Sequence, residues 1–411
     1  MGLHAIDEAK RCLNCKKPRC REGCPINTPI PQTIQMFLGG EMTEAAEMVF
    51  SNNPLSVICS LVCDHEKQCE GHCVKGIKGE PVHISSIENY ISDTCFDKMK
   101  LEKPEWNGHR IGVVGAGPAG ITIAILLAVR GYKVTIFEIR EKIGGILRYG
   151  IPEFRLPKTI LDRYYEKMKA LGIKFRPNFA LGGSTGVHDL LKDGYDAVFI
   201  GTGTWRPYRL NIPGETLGNV HYGINYLNNP DVFDLGERVL VIGAGNAAMD
   251  VARTAIRKGT QHVTVYSVTE VPAASPKEVE YAKIDGVEFE FLQTATEIRD
   301  DGAMICDVEW DEEGRMIKHE ETARFVPADS IIISISQGPQ DRIVNRDREL
   351  QVDGRGLLKT DDKGETTMEG IFASGDVVTG AKTVVEAVKC SKIIADAMDD
   401  YVKAKHAEKT C

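Results

Sequence analysis

Two groups of cysteines near the start of the chain have the spacing of metal ligands. The first group is Cys12-x2-Cys15-x4-Cys20-x3-Cys24-Pro25. The second group is Cys59-x3-Cys63-x5-Cys69-x3-Cys73. Close-set thiolates on one loop, completed by a distant cysteine, are typical ligands of iron-sulfur clusters, and the cysteine before a proline often ligates a second cluster. The spacing therefore predicts that Cys24 serves a different cluster from its neighbours. Zinc sites and buried structural thiols are the competing interpretations.

A glycine-rich turn after the first apolar strand predicts a dinucleotide site. The turn lies between the strand at 111–114 and a helix, and consists of Gly115, Ala116, Gly117, Pro118, Ala119 and Gly120. Glycines at these positions let the backbone approach a pyrophosphate at the helix N-terminus. Glu138 ends the next strand, where a carboxylate can accept hydrogen bonds from both ribose hydroxyls. Proline at the fourth position favours FAD, and a chance match in a surface loop is the alternative.

A second turn repeats this design and predicts the nicotinamide site. It reads Gly243-Ala244-Gly245-Asn246-Ala247-Ala248. Tyr266 stands where the first site has Glu138, so this position has no carboxylate to select NAD and no following arginine to bind the 2′-phosphate of NADP. Other side chains could still reach a phosphate or a ribose: Arg253, Arg257, Lys258 and Glu270. The pattern slightly favours NAD and leaves the choice between NAD(H) and NADP(H) open. A loop that keeps its fold and binds nothing is the alternative.

The composition narrows the class of partners. The 411 residues carry a formal net charge of -9, whereas nucleic acids and anionic membranes attract basic surfaces. We therefore expect neither nucleic acid nor a membrane as a partner. The first ten residues contain charges where a secretory signal needs an apolar core, which predicts a cytoplasmic location. In that compartment close-set thiols indicate metal or redox chemistry rather than disulfides.

The order of elements predicts an α/β protein with an N-terminal helical iron-sulfur domain and two Rossmann-like nucleotide-binding domains, the second inserted in the first. We expect residues 1–108 to form the helical domain, which ends in a turn-rich linker at 103–108. The FAD-binding domain is expected at 109–234 and 336–411. The NAD(P)-binding domain is expected at 235–335, with strands at 239–242, 262–266 and 330–335. A final helix is expected from about Thr383 to Tyr401.

These motifs, taken in order, resemble the family of the small (beta) subunit of glutamate synthase. This family includes the flavin half of dihydropyrimidine dehydrogenase and the large subunit of the ferredoxin-dependent NADH:NADP transhydrogenase. The resemblance covers essentially the whole chain and includes further motifs at 144–157, 201–203, 249–254 and 373–385. Members that use NADPH carry paired arginines just after the residue that matches Tyr266, and this chain lacks them.

The resemblance implies a ligand set for two [4Fe-4S] clusters. One cluster would be held by Cys12, Cys15, Cys20 and Cys73, and the other by Cys24, Cys63, Cys69 and a side-chain oxygen of Glu88. Cys59 would then be a bystander. The resemblance also implies further cofactor contacts, with Asp376 beside the flavin ribityl-phosphate region. These contacts are Gly145, Ile146, Leu147, Arg155, Gly201, Thr202, Gly203, Gly375, Asp376, Thr383 and Val384.

The motifs together predict an FAD-dependent NAD(P)H oxidoreductase subunit. Electrons would move between nicotinamide, FAD and the clusters, to or from a catalytic partner subunit or a carrier such as ferredoxin. A flavin subunit of an NADH-dependent dihydropyrimidine dehydrogenase or of an electron-bifurcating transhydrogenase-like complex is one alternative. A scaffold subunit that only holds cofactors is another. A disulfide reductase would need a cysteine pair near the flavin, and Cys306, Cys390 and Cys411 stand alone in the sequence.

Overall fold

The computed structural model describes residues 2–407, and the side chains from His4 onward. Cys411 therefore lies outside the described residues. The chain divides into two compact units. The first unit comprises the described parts of Met1–Leu147, Glu153–Thr204 and Pro339–Cys411, and the second comprises Arg148–Pro152 and Trp205–Gly338. The domain boundaries predicted after residues 108, 234 and 335 stay predictions.

The described helices are the following, in chain order: α1 (Gly2–Lys10), α2 (Arg19–Glu22), α3 (Ile30–Leu38), α4 (Met42–Asn52), α5 (Ser56–Val62), α6 (Ile84–Phe96), α7 (Pro118–Ala128), α8 (Ile146–Tyr149), α9 (Lys158–Ala170), α10 (Val187–Lys192), α11 (Gly223–Asn228), α12 (Asn246–Arg257), α13 (Pro276–Ile284), α14 (Arg342–Arg346), α15 (Asp376–Thr379) and α16 (Val384–Ala407). Short 3-10 helices occupy Val74–Ile77 and Pro230–Val232.

The described strands are the following: β1 (Arg110–Val114), β2 (Lys133–Phe137), β3 (Lys174–Arg176), β4 (Ala197–Ile200), β5 (Arg206–Pro207), β6 (Val220–Tyr222), β7 (Arg238–Ile242), β8 (His262–Ser267), β9 (Glu288–Phe291), β10 (Gln293–Arg299), β11 (Gly302–Trp310), β12 (Met316–Pro327), β13 (Ser330–Ile333), β14 (Gln337–Gly338) and β15 (Ile371–Ala373).

Helices α1 to α6 form the N-terminal part of the first unit. Their apolar residues recur at helical spacing, as in α3, where Ile30, Ile34 and Phe37 are buried on one face. Pro31 occupies the first turn of α3, where a missing backbone N–H costs no helical hydrogen bond. The ring of Phe96, in the last turn of α6, packs against another part of the first unit. Its centroid lies 4.5 Å from that of Tyr164 on α9.

A parallel sheet in the order β15-β4-β1-β2-β3 forms the other part of the first unit. In β1, β2 and β4 nearly every residue is buried, as expected for parallel strands covered on both faces. Helix α7 is buried along almost its whole length, and α16 packs against it. The carboxyl end of β1 and the start of α7 are therefore held among closely packed strands and helices.

The second unit contains a parallel sheet in the order β6-β13-β7-β8-β9, a three-stranded antiparallel sheet of β10 to β12, and the pair β5 and β14. Its strand β13 ends at Ile333, two residues before the predicted end at 335. Ser336 has a left-handed backbone with φ of 82°, so the chain turns out of the extended conformation there. None of the helices within 2–407 combines the length and apolar composition needed to cross a lipid bilayer.

Helix α16 continues to Ala407, beyond the predicted end at Tyr401, and its last turn is held by a carboxylate. Asp196 accepts a hydrogen bond from the backbone N–H of Arg110 at 2.8 Å. The other oxygen of Asp196 lies 2.7 Å from His406 Nε2. Burial alone would raise the pKa of Asp196, but these contacts outweigh it and hold the pKa below its usual value. Asp196 therefore joins the end of α16 to the start of β1.

We expect Asp196→Asn to lower the free energy of unfolding by about 1–3 kcal/mol at pH 7, because hydrogen bonds to a charged group are lost. The folded-state pKa lies below the unfolded value, so the contribution is present above about pH 4 and is lost as the pH falls through the folded-state pKa. Chemical denaturation at pH 7 and in acid measures the difference. The exposed Asp193→Asn variant is the control. Equal unfolding energies of the Asp196 variant and wild type at pH 7 would contradict this role.

Candidate functional site

Four cysteines from three segments line one cavity near the N-terminus. They are Cys12, Cys15, Cys20 and Cys73, and apolar side chains such as Ile34 and Val82 complete the wall. All four carry free thiols. Burial, with the neighbouring thiols, raises the pKa of Cys20 to about 11 and also raises that of Cys12. Thiols that oppose one another's ionisation in this way become thiolates readily only around a cation, so the donor set fits a metal cluster.

A second cavity brings together the other predicted ligands, Cys24, Cys63, Cys69 and Glu88. Neighbouring polar groups also contact the thiols. Thr28 Oγ1 lies 3.2 Å from Cys24 Sγ, and His65 Nδ1 lies 3.3 Å from Cys69 Sγ. The loop after α2 and the loop after α5 bring the thiols to the cavity, while α6 brings the carboxylate.

Glu88 faces these thiols without a hydrogen-bonding or ion-pairing partner of its own among residues 2–407. Burial raises its pKa to about 7. A partly buried carboxyl with free lone pairs beside three thiols has the chemistry of a fourth, oxygen ligand. The donor set of the second cavity therefore also fits a cluster.

Cys59 lines the second cavity as well, although the sequence analysis makes it a bystander. It lies one turn before Cys63, and its thiol raises the pKa of Cys63 together with burial. The cavity therefore contains one more thiol than the predicted ligand set uses. Substitution of Cys59 distinguishes a ligand from a bystander.

The first glycine turn brings backbone close to backbone at the start of α7. A Cβ on Gly115, which has φ of +99°, would lie 2.6 Å from the carbonyl oxygen of Gly201. A Cβ on Gly120 would lie 2.0 Å from the carbonyl oxygen of Gly115. At Gly117 the nearest atom to a Cβ would be 3.9 Å away, in Gly145. The first and third glycines therefore serve chain packing, while the second leaves open space at the helix N-terminus.

Glycines from two distant segments also reach this helix start. Gly145 has φ of +51°, and a Cβ there would lie 2.7 Å from Gly117 Cα. A Cβ on Gly375 would lie 3.2 Å from the side chain of Ala119. Pro118 is the first residue of α7. Because proline has no backbone N–H, it leaves no unsatisfied donor at the helix start. Gly145 and Gly375 thus lie at the N-terminus of α7, where backbone N–H groups and the helix dipole favour an anion.

Glu138 is buried beside this turn. Its carboxylate accepts hydrogen bonds from the backbone N–H groups of Ala116 at 2.7 Å and Arg140 at 2.9 Å. Burial raises the pKa of Glu138, and the two hydrogen bonds oppose that rise. Each carboxylate oxygen keeps a lone pair that a ribose hydroxyl can use.

The remaining predicted flavin contacts belong to the first unit, as the first glycine turn does. Ile146 and Leu147 begin α8, and Arg155 is partly buried in the loop before α9. Gly201, Thr202 and Gly203 follow β4 directly, where the parallel sheet ends. This edge, at the carboxyl ends of the strands, is where open α/β sheets bind ligands.

The last predicted flavin contacts lie at the starts of the short helix α15 and of the long helix α16. Asp376 begins α15, accepts a hydrogen bond from the backbone N–H of Lys382 at 3.2 Å, and has its pKa raised to about 6 by burial. Thr383 precedes α16, and both its N–H and its hydroxyl donate to Glu386. Val384 is the first residue of α16.

The second unit carries the predicted nicotinamide turn. A Cβ on Gly243 would lie 2.3 Å from the carbonyl oxygen of Ser334, whereas a Cβ on Gly245 would meet nothing within 4 Å. Asn246 begins α12 and accepts a hydrogen bond from Ser275 N–H at 2.9 Å. Ala247 is exposed in the first turn of α12, and Tyr266 is buried near the end of β8.

The basic residues of α12, and Lys258 directly after it, form ion pairs within the chain. Arg253 pairs with Glu278 and Asp285, each at 2.9 Å, and is buried. Arg257 also pairs with Asp285, and Lys258 pairs with Asp231. These ion pairs argue against the suggestion from the sequence that the three cations reach a nucleotide phosphate.

Sequence analysis missed the polar side chains that contact the ligand thiols. Thr28 and His65 lie at hydrogen-bonding distance from Cys24 and Cys69. Each is four residues from the cysteine that it contacts, a spacing that could have pointed to them. Val385 also lines the second cavity, but it lies on α16, more than 300 residues from these loops in the sequence, so no local spacing pointed to it.

Alanine at the second glycine of each turn should remove one nucleotide and spare the other. Gly117 and Gly245 both have φ near -80°, so alanine adds no backbone strain at either position. We expect Gly117→Ala to retain less than about a tenth of the wild-type FAD, because the methyl group occupies the space that a pyrophosphate needs. Gly245→Ala should keep its FAD and weaken nicotinamide binding. Flavin absorbance and nucleotide titration measure the two effects. Full FAD in the Gly117 variant would contradict the assignment.

Two family descriptions match this chain. Residues 109–390 match the pyridine nucleotide-disulphide oxidoreductase family. Residues 2–100 match the dihydropyrimidine dehydrogenase domain II, 4Fe-4S cluster family. These descriptions agree with a nucleotide-binding oxidoreductase region that follows an iron-sulfur region.

Curated relatives match over almost the whole chain. The glutamate synthase [NADPH] small chain of Halomonas elongata is 34% identical and aligns with 97% of this chain and 91% of its own length. The Escherichia coli small chain is 32% identical, with 96% and 91% covered. The beta subunit of an NADP(+)-dependent formate dehydrogenase from Moorella thermoacetica is 32% identical, with 93% of this chain and 60% of that protein covered.

Solved structures support the fold. FprA from Mycobacterium tuberculosis in complex with NADPH has a TM-score of 0.63 at 18% identity, and the match covers 74% of this chain and 86% of FprA. The thioredoxin reductase of Lactococcus lactis has a TM-score of 0.56 at 22% identity, and the match covers 72% and 99%.

These findings confirm the predicted α/β class with Rossmann-like domains and the prediction of an FAD-dependent NAD(P)H oxidoreductase with a 4Fe-4S domain. They also confirm the family that the motifs indicated. The chain belongs to the family of the glutamate synthase small chain, and through residues 109–390 to the pyridine nucleotide-disulphide oxidoreductases.

Proposed function

We propose that this chain is an electron-entry subunit that joins a nicotinamide dinucleotide, FAD and two [4Fe-4S] clusters to a partner protein. The observation that carries the proposal is the start of α16. Thr383 and Val384, the predicted flavin contacts, are followed by Val385, whose side chain lines the cavity of Cys24, Cys63, Cys69 and Glu88. One helix end thus adjoins both the flavin turn and the second cavity.

When bound, FAD would accept a hydride from the nicotinamide and the clusters would carry single electrons. The residues of this chain would position the cofactors and place charge near them, rather than act as a general acid or base. The first turn of α16 presents its positive dipole end, which stabilises negative charge beside Val384. Glu138 and the glycines around α7 orient the dinucleotide, so positioning accounts for most of the catalysis.

The two thiol cavities are neighbours, which supports a route from the flavin through the second cavity to the first. Ile30 lines both cavities. Cys20 belongs to the first cavity and Cys24 to the second, and only three residues separate them. We propose that electrons leave through the cluster of Cys12, Cys15, Cys20 and Cys73, or enter there when the flow is reversed.

The surface around the first cavity suits an acidic partner. Leu13 and Ile77 are exposed apolar side chains, with 63% and 65% of their surface accessible. Exposed basic residues lie in the same segments: Lys16, Lys17, Arg19, Arg21 and Lys78. On a chain of net charge -9 such a local basic surface would steer an acidic electron carrier of the ferredoxin kind or an acidic face of a catalytic subunit.

We further propose that NADH is the preferred donor. The end of β8 pairs with β9, where Tyr266 stands opposite Glu290 and Thr264 opposite Glu288. These carboxylates make the position unfavourable for the 2′-phosphate of NADPH, and the cations of α12 are paired elsewhere. The glutamate synthase small chains matched above are named as NADPH forms, so this chain would differ from them.

Anaerobic titration with each nucleotide tests the donor. We expect NADH to bleach the flavin absorbance of the purified protein at a lower concentration than NADPH, because the 2′-phosphate of NADPH would have to bind near the end of β8, which pairs with the strand that carries Glu288 and Glu290. The ratio of kcat/KM values for an artificial acceptor measures the preference. Equal or greater efficiency with NADPH would contradict the donor proposal. Bleaching by neither nucleotide would favour the scaffold alternative.

Substitution of Glu88 and Cys59 tests the second ligand set. We expect Glu88→Ala to remove the signal of one cluster from the electron paramagnetic resonance (EPR) spectrum of the reduced protein, because the oxygen ligand is lost. Cys59→Ser, the matched control in the same cavity, should keep full iron. Unchanged iron and signal in the Glu88 variant would reject that ligand, and loss of about four irons in the Cys59 variant would show that Cys59 is a ligand instead.

A further inference from the structure

A lysine on α16 is held beside the second cavity by a short polar chain. Lys392 Nζ donates a hydrogen bond to Asn52 Oδ1 at 2.7 Å. Asn52 Nδ2 in turn donates to Thr28 Oγ1 at 3.3 Å, and Thr28 Oγ1 lies 3.2 Å from Cys24 Sγ. Lys392 also follows Val385 by seven residues, two turns along the same helix face. The ammonium group is therefore fixed near a predicted cluster ligand.

The electrostatic setting indicates what this cation acts on. Burial lowers the pKa of Lys392, and its electrostatic interactions with Cys24 and Asp396 oppose that effect. Asp396 itself pairs with Arg130 at 2.5 Å. Around the cavity, burial raises the pKa of Cys69, and the negative charges of Glu88 and Glu70 add to that effect. The ligand set is thus strongly anionic, and Lys392 supplies a positive charge from the side of Cys24.

We propose that the positive charge of Lys392 raises the reduction potential of the cluster held by Cys24, Cys63, Cys69 and Glu88. The inference rests on the proposed function. A reduced cluster carries one more negative charge than the oxidised cluster, so a fixed neighbouring cation stabilises the reduced form more. In a partly buried site this stabilisation is screened less than at the surface. The effect would make the second cluster a better acceptor for electrons from the flavin.

Asn52 has the matching role of holding the ammonium group. It contacts both Lys392 and Thr28, so it links the cation to the hydroxyl beside Cys24. A side chain without the amide would leave the charge present but free to move toward water. Removal of Asn52 should therefore change the cluster in the same direction as removal of Lys392, and by less.

Redox titration of the purified holoprotein, followed by EPR, tests the inference. We expect Lys392→Met to lower the ratio of reduced to oxidised second cluster about tenfold at a fixed potential, which is 59 mV for a one-electron couple. Lys392→Arg keeps the charge and should stay close to wild type. Lys389→Met, an exposed lysine one turn earlier on α16, controls for the loss of any surface charge. The other cluster serves as an internal reference.

The outcomes separate this inference from the proposed function. Wild-type iron content and wild-type potential in Lys392→Met would overturn the inference and leave the two-cluster proposal intact. A wild-type protein with a single cluster would contradict the proposed function and the inference together. If Lys392→Met fails to fold, Asn52→Ala takes its place, and an unchanged potential in that variant counts against the inference.

Discussion

The position of α16 is the constraint on which the first unit depends. Val385 near its N-terminus lines the second thiol cavity, and the proposed function requires the same helix end to serve the flavin site, which would fix both the direction and the depth of α16. Packing against α7 provides this fit: Ser391 Oγ lies 3.1 Å from Ser374 Oγ and donates to the carbonyl of Ala119 at 3.4 Å. At the other end, Asp196 holds His406. A helix secured at both ends would keep its N-terminus in place for the two cofactors that we propose beside it.

The ligands of the second thiol cavity are costly to ionise when no cation is present. Burial and neighbouring acidic groups raise the pKa values of Cys63 and Cys69, and burial raises that of Glu88, so ionising them together without a cation costs free energy. A cluster bound there would supply iron cations for these charges, which would couple its binding to folding of the N-terminal helices. The same physics explains why a single nearby ammonium group, such as that of Lys392, has influence on the site.

The glycine turns are the part of the site that sequence predicts best. Gly115 and Gly120 must be glycines because backbone atoms occupy the space of a Cβ, and that requirement is local. Glu138 follows from the regular length of a βαβ unit. The cysteine ligands were harder to predict. Spacing alone puts Cys59 on equal terms with Cys63, and Glu88 emerges only from the family resemblance, since its carboxylate meets the thiols through tertiary packing of α6.

The link between cofactors could not be predicted from local pattern. Val385 and Lys392 belong to an ordinary amphipathic helix, and their nearness to Cys24 arises from a contact between segments more than 300 residues apart. The ion pairs of Arg253 were equally hidden, because Glu278 and Asp285 come from the next helix and its end. Long-range packing, which carries no period in the sequence, decides both features.

The central claim is that the flavin and both clusters of this one chain are in electronic contact. Its most direct test is rapid-freeze EPR of the isolated protein after anaerobic mixing with a limiting amount of its preferred nicotinamide, with no partner present. The account predicts that cluster signals rise as the flavin is reduced. Reduced flavin beside clusters that stay oxidised, in a protein whose clusters dithionite can reduce, would contradict it.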